Sequence, residues 1–133
     1  MKYMLDTNIC IYCIKKASNK VISKLTSYDP KDICISSITY AELMYGVEKS
    51  KFKEKNMIAL MMFISSISIL DFDMNASTYY GTIRSELEKK GTPIGPMDML
   101  IAAHALSNNL ILVTNNIKEF KRVNNIQLEN WAN

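Results

Sequence analysis

The sequence predicts an α/β fold, a single domain over residues 1–133 in which a central parallel sheet of four to five strands is flanked by helices. Three observations lead there. Short apolar runs at Tyr3-Met4-Leu5, Ile33-Cys34-Ile35, Ile67-Ser68-Ile69-Leu70 and Leu110-Ile111-Leu112-Val113 alternate with helical patterns. The last run is apolar throughout, as a strand covered on both faces must be. Polar triplets, Asp6-Thr7-Asn8 and Thr114-Asn115-Asn116, follow the first and last of these runs, where an open parallel sheet binds its ligands. With 133 residues, 48% of them hydrophobic and 22% charged, the chain suits one sizeable core.

The elements follow in order. After Asn8, a cap for the next helix, an apolar helix runs to about Ile14. A polar break at Lys15 to Lys20 precedes a second short helix ending near Tyr28. Asp29-Pro30-Lys31-Asp32 is a turn, because Pro cannot continue a helix and restricts the residue before it. Ser36-Ser37 stops the second strand and caps a helix over Ile38 to about Lys49. Lys49, Lys51, Lys53 and Lys55 alternate with Ser50, Phe52 and Glu54 across a helix junction, which reads as a solvated charge run. The methionine-rich helix Asn56 to Ile64 reads as core filler. Asp73 caps the helix Asn75 to Lys90, on which Arg84 and Glu88 are spaced to pair, and Gly91 ends it. Pro96 opens the helix Met97 to Ser107, and Ile126-Gln127-Leu128 is a last edge strand before Trp131.

Charge and cysteine content narrow the functional classes. The formal charge of +3 permits a polyanionic partner, and since the only arginines are Arg84 and Arg122, phosphate affinity must come mainly from lysines. Cys10 and Cys13 form a C-x-x-C, but they lie among Ile9, Ile11, Tyr12 and Ile14 on a helix, and with Cys34 they read as reduced core residues. The chain enters its first strand with no signal-peptide pattern, and the apolar stretch Met57 to Leu70 is broken by Ser65, Ser66 and Ser68. The expectation is a cytoplasmic protein that does not enter membranes.

The chemistry lies in acids far apart in sequence. Asp6 closes the first strand. Glu42 falls on a helical wheel between Ile38, Tyr45 and Gly46, among residues expected to pack inward, and carboxylates are seldom buried without a partner. Asp98 stands in the first turn of its helix on the face that continues through Ala102 and Ala105, small residues that allow close approach to the sheet. Glu119 follows the fourth strand by one helical turn as a possible fourth acid. A sheet with strand one at its centre brings these groups to one edge, where their repulsion calls for a cation. One or two Mg²⁺ or Mn²⁺ ions there could activate water against a phosphodiester.

The motifs L-D-T-N at the first strand, S-x-x-x-x-E-L-x-x-G at Ser37 to Gly46, I-G-P-x-D-x-x-I-A-A-H-A at Ile94 to Ala105 and V-T-N-N-x-x-E-F at Val113 to Phe120 together resemble a VapC-type toxin of the PIN-domain ribonucleases. The resemblance spans essentially the whole chain and is closest to the branch that cuts initiator tRNA at the anticodon. It implies a three-layer PIN-like domain and a Mg²⁺- or Mn²⁺-dependent endoribonuclease. The products would carry 5′-phosphate and 3′-hydroxyl ends. It also implies a cognate antitoxin protein and a homodimer. Carried over by position, it makes Asp6, Glu42 and Asp98 the metal-binding acids, with Thr7, Thr114, Asn115 and Asn116 in support. Many relatives have T-x-D after the fourth strand; Asn116 supplies a carbonyl there but no charge, and Glu119 is the compensator. His104 matches the A-A-H-A motif and reads as a packing or hydrogen-bonding residue nearly two turns from Asp98.

Other classes fit less well. Haloacid-dehalogenase-like enzymes require an acid where Asn8 stands, receiver domains require a lysine near Asn115 and Asn116, and no G-x-G-x-x-G follows the first strand. A non-catalytic PIN-like module that binds RNA or protein is the alternative that the uncharged Asn116 leaves open.

Overall fold

The first apolar run, Tyr3–Leu5 (β1), lies at the centre of the sheet. The computed structural model describes all 133 residues. Helices Thr7–Lys15 (α1) and Asn19–Ser27 (α2) follow, then a 3₁₀ turn at Pro30–Asp32, strand Ile33–Ser36 (β2) and helices Ser37–Glu48 (α3) and Lys53–Ile64 (α4). Strand Ser68–Leu70 (β3), helices Met74–Lys90 (α5) and Pro96–Ser107 (α6), strand Ile111–Val113 (β4), the short helix Ile117–Phe120 (α7) and strand Gln127–Glu129 (β5) complete the chain.

All pairings are parallel and the strand order is β3-β2-β1-β4-β5. Chain direction across the sheet reverses at β1, so the crevice between the carboxyl ends of β1 and β4 is the switch point where such sheets bind ligands. Met4 sits between Cys34 and Leu112, which fixes Asp6 and Thr114 as neighbours just beyond the ladder. The Asp6 amide donates to the Val113 carbonyl at 3.0 Å.

Alternation along β1 divides the core in two. Met4, Cys34 and Leu112 face α5 and α6, joined by Ile83, Leu87, Met99, Ile101 and Phe120. Tyr3, Leu5, Ile33, Ile35 and Val113 face α1 to α4, joined by Ile9, Val21, Leu43, Leu60 and Trp131. With both faces covered the molecule has three layers. Cys10, Cys13 and Cys34 are buried free thiols, and burial pushes Cys13 up to about 11 and Cys34 up to about 12. No helix is long and apolar enough to cross a membrane.

Local signals account for most boundaries. Ser18 and Asp73 accept from the amides of Val21 and Ala76, Ser36 caps α3, and Gly91 closes α5 at φ 67°. Arg84 Nε donates to Glu88 at 2.8 Å, the expected pair. Three expectations need correction. The cap of α1 is Asp6, whose Oδ1 accepts from the Ile9 amide at 2.9 Å, and Asn8 lies inside the helix. Helix α4 begins at Lys53 rather than Asn56, so half of the lysine run is helical. Its apolar residues are not all core filler: Leu60 is buried, while Ile58 and Met62 are 63% and 71% exposed.

The carboxyl-terminal residues return to the first strand. Trp131, 1% exposed, packs edge-on against Tyr3 at 5.4 Å and stacks on Tyr28 at 5.5 Å, while its Nε1 donates to Glu129. Trp131→Ala should lower unfolding free energy by roughly 3–5 kcal/mol in urea titrations; a loss below about 1 kcal/mol would mean that this tail does not hold β1 and α2.

Candidate active site

Four elements deliver acids to the switch-point crevice. Asp6 ends β1 and is 4% exposed. Capping α1 engages one of its oxygens, and the buried Thr114, just past β4, favours the charged carboxylate. Thr114 Oγ1 accepts from the Asn116 amide at 2.9 Å. Glu42 comes from the second turn of α3, half-buried, and its Oε1 accepts from the Thr7 hydroxyl at 2.6 Å. Asp98 stands half-buried in the first turn of α6. Glu119, on α7, accepts from the Asn116 side-chain amide at 2.9 Å.

These acids act on one another. Burial pushes Asp6 up to about 6 from its ordinary 3.8, with the negative charges of Asp98 and Glu42 adding to the rise. The Thr114 and Ile9 hydrogen bonds pull the other way without offsetting it. Burial raises Asp98 too, and the charges of Glu42 and Glu119 raise it further. Asp98 thus stands electrostatically between the pair Asp6 and Glu42 on one side and Glu119 on the other.

The donor set is hard oxygen only, and it carries the excess negative charge that suits Mg²⁺ or Mn²⁺. In donor chemistry the residues fit such an ion. As the side chains stand, no three of them are gathered closely enough to ligate one ion. Repulsion accounts for this in part, and so do the separate hydrogen bonds that hold Asp6, Glu42 and Glu119 to Ile9, Thr7 and Asn116. To hold one ion the acids must draw closer together.

The supporting residues divide. Thr7 and Asn116 each bond one of the acids and Thr114 bonds the Asn116 amide, whereas Asn115 donates to the Tyr12 hydroxyl at 2.7 Å. Sequence reasoning missed Tyr12, which reads as one more apolar helix residue. It also missed the buried Thr39, which lies 3.3 Å from the Thr7 hydroxyl. His104 is buried, with Nδ1 2.7 Å from Ser36 Oγ and its ring edge-on to Phe72. Burial lowers its pKa, so the ring is neutral. Since Ser36 Oγ also accepts from the Ile38 amide, His104 ties α6, which carries Asp98, to the capped end of α3, which carries Glu42.

A groove of about 850 Å³ opens beside Glu42, between α1, α3, α4 and the start of α6. Ile11, Ile14, Ile38, Val47 and Leu60 line it, and Thr7 and Glu42 lie along it. Tyr45, expected to pack inward beside Glu42, is 66% exposed along the same groove.

Comparison with known proteins adds to this geometry. The family model described as the PIN domain matches residues 3–126. The chain is 53% identical over 132 residues to ribonuclease VapC2 of Rickettsia felis, covering 98% of each chain. It is 47% identical to the tRNA(fMet)-specific endonuclease VapC of Shigella flexneri, covering 99% of each. Among solved structures, that of DNA-bound VapBC from Salmonella typhimurium superposes with a TM-score of 0.94 at 46% identity, covering 98% of each chain.

The raised pKa of Asp6 fixes the sign of a pH effect. A carboxyl that holds its proton more tightly when folded stabilises the fold below its unfolded value, and that contribution is lost as pH rises toward the folded value. Metal-free protein should therefore lose up to about 3 kcal/mol between roughly pH 4 and pH 6. Asp6→Asn, which can still cap α1, should flatten this slope in thermal melts, and an unchanged slope would contradict the assignment.

Proposed function

The chain belongs to the PIN-domain family and, within it, to the VapC ribonucleases, and from that premise we propose a Mg²⁺- or Mn²⁺-dependent endoribonuclease that hydrolyses tRNA. It is the toxin of a toxin-antitoxin pair, one nuclease domain over residues 1–133, cytoplasmic and homodimeric. The initiator tRNA is the favoured substrate, in line with the named specificity of the Shigella flexneri relative. The observation that carries this reading is the convergence of Asp6, Glu42, Asp98 and Glu119, from four elements, on the switch-point crevice.

In this reading Asp6, Glu42 and Asp98 hold the ion, and Glu119 takes the place of the usual fourth acid. When bound, the ion supplies charge stabilisation and water activation for in-line displacement at phosphorus, leaving 5′-phosphate and 3′-hydroxyl ends. The chain's own residues set the conditions. Thr7 and Asn116 hold Glu42 and Glu119 by one hydrogen bond each, contacts that must yield as the acids draw together around an ion. A proton held by Asp6 must leave as an ion enters, so metal affinity increases with pH through about 6.

The acids also suit an inhibitor. A guanidinium or ammonium from the antitoxin can enter the carboxylate crevice, with the apolar groove beside Glu42 holding the segment that carries it. The solved VapBC assemblies of relatives support such a partner.

Partner-free protein incubated with total tRNA and Mg²⁺ or Mn²⁺ should give discrete fragments bearing 5′-phosphate. EDTA should abolish them and Asp98→Asn should reduce them by roughly 100-fold or more. No cleavage, together with no heat of metal binding, would favour a non-catalytic module with Asn116 as the reason. The co-purified complex should be inactive, and Glu42→Gln should weaken antitoxin binding by about tenfold or more in calorimetry. Unchanged affinity would exclude direct occupation of the acids.

A further inference from the structure

The junction between α3 and α4 bears two exposed aromatic rings, each with a lysine over one face, and Tyr45 borders the groove that contains Glu42. Tyr45 is 66% exposed and Phe52 63% exposed, so neither ring contributes to the core. Lys49 Nζ lies 5.0 Å from the Tyr45 ring centroid, and Lys51 Nζ 5.8 Å from that of Phe52. Phe52 occupies the N-cap of α4 and makes no capping hydrogen bond, although Ser, Asp or Asn would serve there better. Lys53 is paired with Glu48, whereas Lys49, Lys51 and Lys55 make no ion pair. Both arginines are engaged elsewhere, Arg84 with Glu88 and Tyr80, and Arg122 with the Pro93 carbonyl.

Position relates this cluster to the chemistry. Tyr45 and Lys49 line the same groove as Glu42 and Thr7. At a rise of 1.5 Å per residue, Tyr45 stands about 5 Å and Lys49 about 10 Å beyond Glu42 along α3, the reach of one or two nucleotides. Rings that offer a stacking face, set among cations that follow a backbone, form the usual platform for single-stranded nucleic acid.

We propose that the α3–α4 junction is a binding subsite for the unpaired RNA strand that flanks the scissile phosphate. One base stacks on Tyr45 and a second on Phe52, and Lys49, Lys51 and Lys55 neutralise the phosphates between and beyond them. This subsite rests on the endoribonuclease reading above and assigns the grip on substrate to residues that hold no metal and touch no reacting atom.

Single-turnover cleavage of a fluorescein-labelled anticodon stem-loop of initiator tRNA, with protein in excess, tests the subsite. Tyr45→Ala and Phe52→Ala should each raise the half-saturating protein concentration, by about 5- to 100-fold. The maximal rate and the melting temperature should stay unchanged. Tyr45→Phe should retain wild-type behaviour. Lys49→Gln together with Lys51→Gln should reduce the slope of log affinity against log salt by about 0.7 for each lysine. If wild-type protein cleaves the stem-loop and the ring variants saturate at the wild-type concentration, the subsite is wrong and the ribonuclease reading stands. If the ring variants lose antitoxin affinity but bind and cleave the stem-loop at the wild-type concentration, the rings belong to a protein-docking surface alone and the proposal fails. If wild-type protein neither binds nor cleaves the stem-loop, both readings fall together.

Discussion

Placing an ionisable carboxylate at the end of a fully buried central strand is the constraint on which the rest of the site depends. Asp6 is nearly inaccessible and other acids raise its pKa further. It remains in place because its other duties are satisfied locally: its carboxylate caps α1 and its amide joins the β1–β4 ladder. Such a group is too constrained to move and too poorly solvated to be content as an anion. A divalent cation relieves that tension, and so does a guanidinium. In the function proposed above, catalysis and inhibition draw on the same electrostatic debt.

Much of this was legible in the sequence because it rests on short-range rules. Strand runs, Pro96, Gly91 and the Ser36 cap are local signals, and Asp6 at a strand end needs only the period of the chain to be noticed. Asp98 was visible through the small residues Ala102 and Ala105 on its face, which are fully buried. The cap of α1 went to the wrong residue because Asp6 and Asn8 are both good cap formers, and only the backbone turn decides between them. Tyr45 was misplaced for a different reason: α3 is apolar on most of its surface, so its sequence does not say which side meets the sheet and which lines a groove. The hydrogen bonds of Asn115 to Tyr12 and of His104 to Ser36 join residues 103 and 68 positions apart, and no local pattern encodes them.

The link through His104 shows how the layers cooperate. Glu42 and Asp98 lie on helices that approach the crevice from opposite sides of the sheet, with the edge of β2 between them. A neutral, buried imidazole bonded to the Ser36 hydroxyl sets the spacing of those helices without adding charge to a region already too negative. A lysine there would bury a cation in an almost inaccessible position, at a cost the neutral ring avoids. Aliphatic side chains would leave the Ser36 hydroxyl without that partner.

The strand order has a consequence for how the molecule comes into being. β1 is made first, yet its neighbour β4 ends at Val113 and the tail that seals it ends beyond Trp131. In chain order β1, β2 and β3 precede the parts that complete the crevice, so Asp6 lacks Thr114 and Asp98 lacks its supporting strand until β4 has been made. The crevice thus closes only through contacts of long sequence separation, the slowest kind to form.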